Sequence, residues 1–201
     1  MKFIGFYDYT VILTYGNLIS SLCGIFLAVR GKLVWAVLCL VLSGVFDMFD
    51  GTVARTKKNQ TAQEKNFGIQ LDSLCDLVSF GVLPALLSYQ LGMDSWLGIG
   101  ILVLFCLCGL IRLAYYNVLE IDRQQVEEGN NKTFHGLPIT STAIIFPLVS
   151  GLRAVVPENG FLVILHGAML CTALLFVLDI TIPKVDIGRL FAKMREQKAG
   201  K

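Results

Sequence analysis

The chain has 201 residues, of which 55% are hydrophobic and 16% charged, and its net charge is +2. A soluble domain carries about 25% charged residues, and a water-soluble globule of this length cannot hide so much apolar side chain. With a mean hydropathy of +0.67, the composition excludes disorder; the charge excess is too small to imply nucleic acid, and an all-α integral membrane protein remains.

A helix needs about 20 apolar residues to cross the hydrocarbon. Six spans are predicted in chain order: Tyr9 to Val29, Leu33 to Phe49, Phe67 to Tyr89, Ser95 to Ile111, Leu137 to Leu152 and Gly160 to Leu178. The longest connection is expected from about Asn117 to His135. No cleavable signal peptide is expected, because no small-residue cleavage site precedes the first apolar run. The six cysteines all lie in apolar runs, where Cys packs as a small hydrophobe, so no disulfide framework is expected. His166 reads as an inter-helix hydrogen-bonder. Thr140-Ser141-Thr142 either lines a pocket or packs.

Six spans put both termini on one side. Fourteen of the seventeen basic residues then share that side, and only Arg30, Lys32 and Arg153 face the other. The positive-inside bias makes the termini, the 55–65 loop and the 117–135 loop cytoplasmic in the cell membrane. Residues 1–182 read as one six-helix membrane domain with a cavity open to the cytoplasm. Residues 183–201 read as a basic tail. Its Ile187, Leu190, Phe191 and Met194 have helical spacing, which suits an interfacial helix on anionic lipid.

Ionisable residues inside spans are costly and point to function. Asp47 and Asp50 are three apart, about 60° around a helix, and Asp72 and Asp76 are four apart, about 40°. Gly51, Ala54 and Gly68 extend the same faces with almost no side chain. Two adjacent antiparallel spans can therefore aim four carboxylates into one pocket. Such a cluster ionises fully only beside cations. Hard divalent ions with oxygen ligands suit it, Mg²⁺, Mn²⁺ or Ca²⁺, and four carboxylates suffice for two ions. Arg55 can add a phosphate contact. Internal salt bridging with Arg55 and Arg112, or a proton relay in a cation-coupled transporter, are the competing readings.

The run Asp47-x₂-Asp50-Gly51-x₂-Ala54-Arg55 … Gly68-x₃-Asp72-x₃-Asp76 resembles the signature of the CDP-alcohol phosphatidyltransferases. One departure is visible: twelve residues separate Arg55 from Gly68, where the family usually has eight or nine. The extra residues fall in a polar loop, where insertion is cheap. Within the family the chain is most similar to members that use serine. The segments Asp72–Ala85, Arg112-Leu113-Ala114-Tyr115-Tyr116-Asn117 and Phe134-His135-Gly136-Leu137-Pro138 carry that likeness. Thr14-x₂-Asn17-x₂-Ser20 is a weaker one.

The resemblance implies transfer of a phosphatidyl group from CDP-diacylglycerol to the hydroxyl of L-serine, with release of CMP, by a homodimer. It implies metal ligation by Asp47, Asp50, Asp72 and Asp76, with Asp76 also the general base. Gly51, Ala54, Arg55 and Gly68 would admit the cytidine diphosphate, with further contacts from Thr14, Asn17 and Ser20. Those three polar residues could equally bond between helices. The serine carboxylate wants a cation, and Arg112, expected at the cytoplasmic end of the fourth span, is the first candidate. Lys132, Arg123 and His135 are second choices, and a snorkelling Arg112 is the alternative. Inositol phosphate or glycerol phosphate as acceptor would demand more basic residues. A membrane prenyltransferase would lack the Asp-Gly-x₂-Ala-Arg run.

Overall fold

A computed structural model of the chain describes residues 5–54, 57, 60–125, 133–179 and 181–183. A 3₁₀ turn (Tyr9–Val11) opens the fold, and Asp8 caps it by accepting from the Tyr9 N–H at 2.7 Å. It leads into α1 (Ile12–Val29). Helix α2 (Leu33–Ala54) runs back alongside it. Helix α3 (Ala62–Asp76) begins at a capping box between Thr61 and Glu64. The chain then widens into a π-helical turn (Leu77–Val82) and continues as α4 (Leu83–Gln90). Helix α5 (Trp96–Gln125) follows, with α6 (Thr142–Gly151) and α7 (Glu158–Val177) completing the bundle.

Five helical stretches are long and apolar enough to cross a membrane, the third being the continuous 62–90 rod. The sixth apolar segment, Ile139–Ala154, is shorter. Outward faces carry exposed apolar side chains, among them Val34, Trp35, Leu97 and Val163, as a lipid-facing surface requires. Trp35 and Trp96 sit at helix starts, where an aromatic belt is expected. Inside, Phe80, Phe105, Phe146 and Phe161 form the centre of the core with Leu40, Leu83 and Leu165.

Three expectations need correction. The connection expected from Asn117 is helical to Gln125, because Leu119, Glu120 and the following residues are good helix formers with no Gly or Pro among them. Arg112 therefore lies within a helix rather than at the end of one. The third span starts five residues earlier than expected, at Ala62, because the Thr61–Glu64 box satisfies its first N–H groups. The all-α reading also misses a small antiparallel ribbon, in which β1 (Thr133–His135) pairs with β2 (Thr181–Pro183), Thr133 opposite Pro183. Gly136 makes this join possible. Its φ is +72°, and a methyl there would sit 3.0 Å from the Leu178 carbonyl at the end of α7. The tail residues Ile187, Leu190, Phe191 and Met194 lie outside the described residues.

The π turn follows from Pro84. Proline cannot donate an N–H and its ring crowds the carbonyl four residues back, so the regular ladder is interrupted just before it. Between α2 and α3, Lys57 pairs with Asp8 and with Glu64. Glu64 also accepts from the Thr61 backbone N–H at 2.8 Å.

Gly44 marks the closest approach of α2 and α6, since a Cβ there would lie 2.7 Å from the Ala143 Cβ. Gly44→Ala should destabilise the bundle by about 1–3 kcal/mol, read as a lower Tm in detergent. Gly151→Ala, where an added Cβ meets nothing within 4 Å, should leave Tm near wild type.

Candidate functional site

Helix α2 carries Asp47 and Asp50 on one face, and α3 brings Asp72 and Asp76 against them. Carboxylate oxygens of Asp47, Asp50 and Asp72 all lie within 4.8 Å of one another. Asp50 meets Asp72, and Asp47 meets Asp76, within hydrogen-bonding range. The four aspartates thus form one cluster, as their spacing predicts. Asp76 is its most enclosed member at 5% exposure, with Asp50 at 8%.

Helix α1 closes the cluster from a third side. Its buried stripe is small and polar: Thr14, Asn17, Ser20, Ser21, Gly24 and Ala28. Thr14 Oγ1 donates to Asp50 Oδ2 at 3.5 Å, and Asn17 Nδ2 donates to Asp76 Oδ1 at 3.2 Å. Ser43 Oγ of α2 donates to the Asn17 carbonyl at 3.1 Å and fixes the register of the two helices. Ser20 Oγ donates to the Cys39 carbonyl at 2.9 Å, about two turns of α2 from Asp47. Thr14 and Asn17 therefore do bond between helices, and their partners are the aspartates themselves.

Gly51 and Gly68 flank the carboxylates, and a Cβ built on either would meet nothing within 4 Å. The space over the cluster is therefore open, with bare backbone on two sides. Arg55 and Lys132 lie outside the described residues, as do the side chains of Ala54, Arg123 and His135.

Arg112 is 7% exposed and lays its guanidinium over the Tyr116 ring, 4.3 Å from the centroid. It is buried inside the bundle near Asp76, which attracts it, so the snorkelling alternative fails. His166 Nδ1 contacts the Leu162 carbonyl of its own helix at 2.7 Å rather than a neighbouring helix. Ser141 and Thr142 likewise bond local carbonyls, of Pro138 and Ile139.

Sequence reasoning missed two groups. Ser73 Oγ donates to Asn117 Oδ1 at 2.7 Å, and Asn117 Nδ2 donates to Gln70 Oε1 at 3.3 Å. This clamp fixes α3 on α5 beside the cluster. Ser73 and Asn117 stand in segments that carry the family likeness, but nothing in the residue order announces their contact. Ser79, in the π turn three residues after Asp76, is fully buried; it belongs to the Asp72–Ala85 segment of likeness, which gives it no role of its own.

The donor set has the chemistry of a metal site. Among the described residues no lysine or arginine forms an ion pair with any of the four aspartates, which removes the internal salt-bridge reading for Arg112. Asp72 Oδ1 is buried and has no hydrogen-bond partner. Clustered carboxylates with an orphaned oxygen and no counter-ion fit hard divalent cations. Asp72→Asn should abolish tight Mn²⁺ binding, followed by electron paramagnetic resonance. Thr14→Val, which removes only the hydroxyl on Asp50, should weaken it by on the order of tenfold.

Residues 10–180 match the CDP-alcohol phosphatidyltransferase family. The chain is 35% identical over 173 residues to the archaetidylserine synthase of Methanothermobacter thermautotrophicus, covering 85% of this chain and 67% of that protein. It is 36% identical over 183 residues to the CDP-diacylglycerol–serine O-phosphatidyltransferase of Methanocaldococcus jannaschii, covering 91% and 76%. The enzyme of that name from Bacillus subtilis is 33% identical over 140 residues, covering 69% and 72%. No solved structure matches.

Proposed function

Because the chain belongs to the CDP-alcohol phosphatidyltransferase family, we propose that it transfers the phosphatidyl group of CDP-diacylglycerol to the hydroxyl of L-serine and releases CMP. The observation that carries this is the four-aspartate cluster, built from the family's own signature on α2 and α3. Serine as acceptor is common to the names of all three relatives. The lipid differs between those names, so the acyl or ether character of the donor is left open.

In this reaction the serine oxygen bonds to the lipid phosphorus, the phosphoanhydride bond breaks, and CMP departs with the electron pair. Asp47, Asp50, Asp72 and Asp76 would hold two divalent ions, Mg²⁺ or Mn²⁺ with Ca²⁺ as a further candidate. Such ions neutralise charge on the diphosphate and the leaving group. Asp76 accepts the serine proton, and the Asn17 amide on its Oδ1 fixes the direction of the carboxylate. Gly51, Ala54, Arg55 and Gly68 let the cytidine diphosphate lie against the helix backbones, with Thr14, Asn17 and Ser20 beside it. Arg112 receives the serine carboxylate, with Lys132, Arg123 and His135 as further cations.

The same reading gives the protein six crossings. The Ile139–Ala154 segment has 3₁₀ turns at both ends, whose steeper rise stretches it to about 27 Å, close to the roughly 30 Å of hydrocarbon. Both termini and the mouth of the site then face the cytoplasm, where thirteen of the seventeen basic residues fall once Arg112 is placed inside the bundle. Residues 1–182 form the catalytic membrane domain and 183–201 a basic surface tail. The active form is a homodimer.

The test is CMP release from CDP-diacylglycerol by purified protein, with and without L-serine and with Mn²⁺ or Mg²⁺. Serine-dependent, metal-dependent release is expected; release indifferent to serine contradicts the reading. Asp76→Asn should abolish turnover and still bind the nucleotide lipid. Arg112→Ala should raise the KM for serine on the order of tenfold or more with little change in the KM for CDP-diacylglycerol.

A further inference from the structure

Eight buried serine and threonine residues are described. Seven donate to a partner: Thr14 to Asp50, Ser20 to Cys39, Ser43 to Asn17, and Ser21, Ser88, Thr142 and Thr172 to carbonyls within about a turn of their own chain. Ser79 is the exception, since its Oγ is buried and without a partner. Two side-chain atoms on helices packed against its turn share that condition, Asn17 Oδ1 of α1 and Arg112 Nε of α5. Buried polar atoms are rarely left unbonded, because desolvation goes uncompensated.

Contacts between the helices set the three residues near one level of the bundle. Asn17 reaches Asp76 from α1. Helix α5 runs antiparallel to the 62–90 rod, with Cys106 Sγ on the Gly81 carbonyl and Asn117 on Ser73. Arg112 falls between these two contacts, level with Asp76 and Ser79. The π turn that carries Ser79 packs against both α1 and α5. Asn17 and Ser79 are 0% exposed and Arg112 is 7%.

The chemistry of the set is specific. Asn17 Oδ1 only accepts, Arg112 Nε only donates, and Ser79 Oγ does either. An ammonium group needs acceptors and a carboxylate needs donors, so the set complements a zwitterionic α-amino acid. It does not suit a polyol phosphate, which offers several anionic oxygens and no ammonium.

We propose that Ser79, with the Asn17 amide oxygen and the Arg112 guanidinium, forms a buried subsite beneath Asp76 that binds the ammonium and carboxylate of the acceptor amino acid, and that Ser79 is a specificity-determining residue. This rests on serine being the acceptor. The π turn is what supplies the subsite: it places Ser79 where its hydroxyl has no carbonyl of its own helix to bond, so the group stays free for the ligand.

The test compares wild type with Ser79→Ala and Ser79→Cys in three measurements. The KM for L-serine should rise on the order of tenfold in both variants, while the KM for CDP-diacylglycerol and kcat at saturating serine stay within about twofold. The Tm without serine should equal or exceed wild type, since an unsatisfied hydroxyl has been removed, and the Tm rise on adding L-serine should shrink. L-alanine, which keeps both charged groups, should compete with serine in wild type, and ethanolamine, which lacks the carboxylate, should not. An unchanged serine KM overturns the subsite and leaves the transferase reading standing. A lowered Tm without serine assigns Ser79 to packing and also overturns it. Wild type that releases no CMP with serine defeats both readings.

Discussion

Like charges brought together in an apolar bundle are the constraint on which the structure depends. Oxygens from Asp47, Asp50 and Asp72 lie within 4.8 Å of one another, and Asp76 joins them through Asp47. Without compensation, such a group repels itself and opposes folding. Among the described residues no basic side chain forms an ion pair with it, and such a set of carboxylates suits divalent cations. The helices are fixed so that the carboxylates converge, and the converging groups are fixed by hydrogen bonds rather than by counter-charges.

Several local features serve that end. The polar stripe of α1 lets one helix hold aspartates from two others, Asp50 through Thr14 and Asp76 through Asn17. The Ser73–Asn117–Gln70 clamp holds α3 on α5. Small residues keep the front open at Gly51 and Gly68, while Gly44 lets α2 and α6 touch behind. The π turn enforced by Pro84 offsets everything after Asp76, which separates the carboxylate face from the core face below it. Core phenylalanines such as Phe80 begin one residue after Ser79. Polar chemistry and apolar packing are thus divided at one backbone irregularity.

Much of this was legible in the residue order. Three- and four-residue spacings in a helix fix relative direction, so the aspartate cluster could be read from Asp47, Asp50, Asp72 and Asp76 alone. The membrane class followed from composition for the same reason that it is true: apolar surface must meet lipid. Other features were not legible, because their causes are not local. The helix through Gln125 was read as a loop since its charges obscured steady helix propensity. Arg112 was placed at a boundary because a cation is expected near water, and only packing shows it stacked on Tyr116 inside the bundle. The β1–β2 ribbon joins segments about 50 residues apart, a pairing that spacing cannot announce. Ser79 stands in the Asp72–Ala85 segment with no role assigned to it, since an unbonded hydroxyl is a property of the assembled neighbours.

The central claim is that these four aspartates hold divalent cations at the point where the diphosphate is cleaved. Anomalous diffraction from crystals grown with Mn²⁺ and a CDP-lipid tests it most directly. The account predicts two Mn²⁺ peaks between α2 and α3, within ligand distance of Asp47, Asp50, Asp72 and Asp76, with the diphosphate bridging them beside Gly51 and Gly68. Saturating Mn²⁺ with no peak among these carboxylates, or with the diphosphate bound elsewhere, would contradict it.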